Sequence, residues 1–150
     1  MSAELRIMHL RDEDDFGQLV ATVRSGAFAG TGWAHFYREQ VVRFIQDLRA
    51  CPLPVDHLTK IEGGYWNKEQ RDKLDECHLR VAVRPFDLRG QLMVLVDLAT
   101  ELPTNAGREH QQTIHARFRT EYAELAAFAS ELLAVLEGKR EDALLPGMSF

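Results

Sequence analysis

Seven side chains in the second half of this 150-residue chain are of chemically useful types at spacings that would bring them together. They are His78, Arg80, Arg84, Asp97, His115, Arg117 and Arg119. Two imidazoles and a carboxylate are ligand types that suit zinc or iron. The same three groups could equally serve a small enzyme. The four guanidiniums suit a different task, because each is a fixed fork of donors that matches carboxylate or phosphate.

Alternation is what would gather them. His78 to Arg84 places Leu79, Val81 and Val83 on one face and His78, Arg80 and Arg84 on the other. Gln91 to Leu98 sends Leu92, Val94, Val96 and Leu98 inward, and Gln91, Met93, Leu95 and Asp97 outward. Gln111 to Arg119 does the same, with Ile114, Ala116 and Phe118 inside and His115, Arg117 and Arg119 outside. These period-two patterns predict three half-buried strands. A hairpin turning at Pro85–Gly90 pairs residues whose numbers sum to about 175, which sets His78 opposite Asp97 and Arg80 opposite Leu95. Across the next loop the sum is about 210 to 212, which sets Asp97 beside Thr113 or His115 and Leu95 near Arg117. The expectation is one exposed face carrying His78, Asp97 and His115 in a row, flanked by the four arginines. Met93 and Leu95 leave apolar area in its middle, so a homodimer is a second use of the face.

The remaining elements must back that face. Residues 5–10 and 16–24 read as strands, and 25–35, with Gly26, Gly30 and Gly32, as a turn into an irregular or bulged strand. Tyr37 to Ala50 carries Tyr37, Val41, Phe44, Ile45 and Leu48 at helical spacing, and Pro52 and Pro54 stop it. Residues 55–76 are irregular, and the Tyr65-Trp66 pair after Gly63-Gly64 is expected to cap the core. Thr120 is the expected N-cap of a last helix with the stripe Tyr122, Leu125, Ala126, Ala129, Leu132, Leu133 and Leu136, closed by Gly138. Residues 139–150 form a tail that docks or moves. Strands without β-α-β alternation imply one α+β domain over residues 1–150, a curved antiparallel sheet of five to six strands with two helices packed on one face.

Composition narrows the function. The chain is acidic, with a formal charge of −5, so it is not built to coat nucleic acid. The apolar runs are too short for a membrane helix, and residues 1–10 lack a signal-peptide plan. Cys51 and Cys77 form no C-x-x-C pair and are expected to be reduced, in the cytoplasm. The three glycines lead to no Gly-Lys-Ser/Thr, and Ser25 lies in no G-x-S-x-G elbow. No catalytic residue, cofactor or metal is therefore assigned. The His78–Asp97–His115 row stays open as an enzyme or metal alternative.

Gly63-Gly64-Tyr65-Trp66, Arg89-Gly90-Gln91-Leu92 and Glu121-Tyr122-Ala123-Glu124-Leu125, following a glycine- and aromatic-rich strand and an amphipathic helix, resemble small uncharacterised bacterial α+β proteins. Over residues 5–138 the layout is similar in plan to immunity proteins of bacterial toxin systems. The resemblance implies the fold and a bacterial origin, and it carries over no functional residue. The expectation is a non-catalytic, immunity-like binding module whose arginine-rich face takes an acidic protein or an anionic ligand.

Overall fold

The computed structural model describes residues 1–103 and 105–150. In chain order the elements are β1 (Ser2–Glu13), β2 (Phe16–Ser25), β3 (Phe28–Tyr37), α1 (Arg38–Leu48), β4 (Thr59–Trp66), β5 (Leu74–Pro85), β6 (Gln91–Ala99), β7 (Thr113–Glu121), α2 (Tyr122–Leu136) and β8 (Asp142–Ser149). The strands form one antiparallel sheet in the order β3-β2-β1-β8-β7-β6-β5-β4, open at β3 and β4. The α+β expectation holds, but the sheet has eight strands rather than five to six. The two additional strands are β4, within the stretch read as irregular, and β8, within the presumed tail. β8 is no appendage, since it lies between β1 and β7 and buries Ala143 and Leu145 completely.

Alternation sorts the side chains as expected. Leu5, Ile7, Leu19, Ala21, Val81, Val83, Val94, Val96 and Phe118 share one core with Val41, Phe44, Ile45 and Leu48 of α1 and Leu125, Phe128, Ala129 and Leu132 of α2. Both helices thus cover the inner side of the sheet. Thr120 does not cap α2. It is a buried strand residue whose hydroxyl donates to the Pro146 carbonyl at 2.9 Å, and Glu121 takes the N-cap position. No helix among the described residues is long and apolar enough to cross a membrane.

The sheet folds over on itself. Among the described residues the ladder between its halves, β3-β2-β1-β8 and β7-β6-β5-β4, consists of Phe118 opposite Ser149 and Arg119 opposite Met148. Their inner faces meet where side chains are missing. A Cβ on Gly30 would stand 2.8 Å from Ile114, one on Gly32 3.0 Å from Leu98, and one on Gly63 2.8 Å from the Phe36 ring. Those glycines let strands from opposite halves approach closely, which is how the chain encloses its core.

Candidate functional site on the outer sheet face

The outer face of β4 to β8 is assembled by two registers. The β6–β7 ladder matches expectation, with Asp97 opposite His115, Leu95 opposite Arg117 and Met93 opposite Arg119. The β5–β6 ladder lies two residues further along, so Arg80, not His78, faces Asp97, and Arg84 faces Met93. The turn sets this shift. Phe86 N–H donates to the Gln91 carbonyl at 2.8 Å, and the Asp87 carboxylate accepts from the N–H groups of Arg89 and Gln91 at 2.8 and 3.1 Å. Gly90 takes a φ of +86° at the end of that four-residue loop.

His78 does not belong to the row. Gly63 pairs with Leu79 and Gly64 with Cys77, which leaves His78 as the extra residue of a β-bulge. The bulge takes its side chain out of alternation. The residue is 4% exposed, its Nε2 lies 3.0 Å from Glu76 Oε1, and its ring meets Tyr65 edge-on at 4.8 Å. Glu76 Oε1 also accepts the Leu102 N–H at 3.3 Å. His78 therefore locks one end of the sheet, and the expected triad with Asp97 and His115 is not assembled. Among the described residues no group of three His, Cys, Asp or Glu side chains is arranged to hold a metal. Tyr65 and Trp66 are likewise not core caps. Both are partly exposed, and the Tyr65 hydroxyl donates to Glu101 at 2.5 Å.

The centre of the face is a chain of ion pairs across four strands. Lys60 reaches Glu62 at 3.1 Å, and Glu62 accepts from Arg80 Nε at 2.7 Å. Arg80 lies 3.7 Å from Asp97 Oδ2, and Asp97 Oδ1 accepts from both Arg117 Nη1 and His115 Nδ1 at 2.8 Å. Partial burial pushes the Asp97 carboxyl up, but the hydrogen bonds from His115 and Arg117 outweigh it and hold the group below its ordinary value. Glu62 follows the same balance, with Arg80 and Lys60 as its donors. Asp97 orients the His115 imidazole, yet no hydroxyl or thiol is hydrogen-bonded to His115 among the described residues. The pair has an orienting carboxylate and no nucleophile to activate.

Arg84 and Arg119 are different. Neither meets a carboxylate within ion-pair distance among the described residues. They share one cross-strand row, Arg84–Met93–Arg119–Met148. Arg84 Nη2 contacts Met93 Sδ at 3.6 Å, and the Arg119 guanidinium lies 5.4 Å from the centre of the Phe150 ring. Phe150 packs edge-on against Phe86 at 5.2 Å. Both rings and Met148 are exposed, while Arg119 Nε is buried without a hydrogen-bond partner. An open cavity of about 340 Å³ adjoins them, lined by Gln91, Arg119, Glu121, Glu124, Pro146 and Met148 among others. The turn aromatic Phe86 and the β8 residues were absent from the sequence-derived site. Phe86 beside the Arg89-Gly90 turn was the available signal, but the β8 contribution needed the fold.

Met93 and Leu95, expected to leave apolar area in the middle of the face, are half-buried. Comparison with known proteins brings no match to a family model, a curated protein or a solved structure.

Proposed function

We propose that this protein is a non-catalytic binding module that takes a carboxylate-rich partner, an acidic protein surface, at the Arg84–Arg119 end of its outer sheet face. The observation that carries the reading is the pair of guanidiniums without carboxylate partners, set among exposed Phe86, Phe150 and Met148 beside an open cavity. Arginine, aromatic and methionine side chains are the types enriched where interfaces gain most of their energy. An incoming carboxylate would form charge-assisted hydrogen bonds with donors that now lack a counter-charge. Arg80 and Arg117, expected as equal contributors, are held by Glu62 and Asp97 and act as supports.

Fluorescence anisotropy with a labelled glutamate-rich peptide containing one aromatic residue tests the reading. Binding should weaken at least about tenfold in Arg84→Glu/Arg119→Glu, and it should fall with added salt. Arg117→Gln should change it less than threefold, or about 0.6 kcal/mol. Equal loss in both variants, or binding indifferent to all three arginines, would reject the site.

A further inference from the structure

We infer that β3 is a self-association edge, to which a second copy of this chain adds its own β3 in antiparallel register about a two-fold axis. β3 is the terminal strand of the sheet. All ten of its residues pair in sequence with β2, with no bulge, and among the described residues no strand pairs with its other side. A long, regular edge of this kind is a template for another strand unless something blunts it.

The opposite edge shows what blunting looks like in this molecule. β4 carries Lys60 and Glu62, and its ladder slips at Gly63/Gly64 and again at Tyr65/Trp66. β3 reads Phe-Ala-Gly-Thr-Gly-Trp-Ala-His-Phe-Tyr, with no Lys, Arg, Asp, Glu or Pro. Between the polar positions Thr31 and His35 its outer face carries an apolar row. Met8, Val20 and Trp33 form one row across β1, β2 and β3, and Met8, Trp33 and Tyr37 are 43%, 46% and 58% exposed. Pairing another strand there would extend that apolar row.

The occupant is read from the charge pattern. A charged partner strand would find no counter-charge on β3. Two copies of β3 paired about Trp33 bring no like-charge pair together, since the two His35 residues do not face each other. Pairing about Trp33 would set Trp33 across from its copy, Thr31 across from His35, and Ala29 across from Tyr37. That arrangement is isologous and closes at two subunits. It also leaves the Arg84–Arg119 row, which lies on β5 and β7, free in both copies, so the inference does not rest on the binding function proposed above.

Multi-angle light scattering over a concentration series tests it. The chain should run at twice its mass of 17.1 kDa. Thr31→Lys/Trp33→Lys, which places four ammonium groups at the new seam, should shift it to the single-chain mass and raise the dimer dissociation constant at least about tenfold. Both positions are exposed in one subunit, and a thermal melt within a few degrees of the parent confirms that the variant folds. If that variant misfolds, Thr31→Lys alone is used. Arg84→Glu/Arg119→Glu must leave the mass unchanged. A parent chain that stays at the single-chain mass up to about 100 μM overturns the inference. So does a dimer that survives the lysines, or one that the arginine variant dissolves.

Discussion

Replacing Gly147 by alanine attacks the short β7–β8 ladder through which the two halves of the sheet pair. A Cβ at this position would overlap the Arg119 carbonyl oxygen and stand 2.6 Å from Phe118 Cδ2 and 2.9 Å from Cε2. The oxygen belongs to backbone, so no side-chain rotation relieves the clash. β8 must instead retreat from β7, which loosens the Phe118–Ser149 and Arg119–Met148 pairs and the Thr120 hydroxyl bond to Pro146. Overpacking costs about 1–3 kcal/mol, and each hydrogen bond lost costs about 1 kcal/mol. The expected destabilisation is about 3–5 kcal/mol, a large share of the roughly 5–15 kcal/mol typical of a folded chain. Urea unfolding at neutral pH measures it, with the slope against denaturant unchanged. Gly107→Ala is the control, because a Cβ there meets only the Glu109 side chain at 3.6 Å or more. The reasoning is refuted if Gly147→Ala unfolds within about 0.5 kcal/mol of the parent, the range of an ordinary surface substitution.

Two further outcomes are expected. Asp97 and Glu62 have folded-state values below their ordinary ones, so each contributes stability above the unfolded carboxylate range that is lost as pH falls through the lowered values. Their cationic partners are more than a third exposed, or close to it, so Asp97 contributes less than about 1 kcal/mol; Asp97→Asn should therefore flatten the fall in urea midpoint between about pH 5 and pH 3, and an unchanged fall contradicts the ion-pair chain. His78→Ala should cost about 2 kcal/mol, since it empties a buried site and strips a partner from Glu76, whereas His115→Ala, on an exposed side chain, should stay within about 0.5 kcal/mol. Thermal melts that rank the two histidines the other way would show that the bulge at Gly63–Gly64 does not hold His78 as described.

Period-two patterning was legible wherever a strand has a dry and a wet face, which is why 78–84, 91–98 and 111–119 could be read and the β6–β7 register with them. Strands built for another purpose were not legible. Gly63-Gly64 looks like a turn, but these glycines sit within β4: one clears the Phe36 ring and the other accommodates the bulge against Glu76 and His78. Pro146-Gly147 looks like the end of ordered structure. β8 tolerates it because its ladder with β7 involves only Met148 and Ser149, so the proline interrupts no β7 pairing, and because Gly147 must pass under Arg119. His78 failed for a related reason. Alternation places it beside Arg80, and one unpaired residue is enough to reverse a side chain.

That single reversal decides where the proposed binding would fall. With His78 in the row, the centre of the face would hold two imidazoles and one carboxylate. Without it, the centre is saturated, because each acid there already accepts from at least two cations and has little left to offer a ligand. A partner's carboxylate would have to displace Asp97 or Glu62, and those acids lose little by remaining. At the Arg84–Arg119 end Glu121 and Glu124 line the adjoining cavity, but among the described residues no carboxylate lies within ion-pair distance of either guanidinium. The donors there are held by a sulfur and an aromatic face, which give orientation without neutralising charge. The same reasoning separates the two proposals: guanidiniums of β5 and β7 without a carboxylate partner would select an acidic partner, and an edge strand without charge would select its own copy.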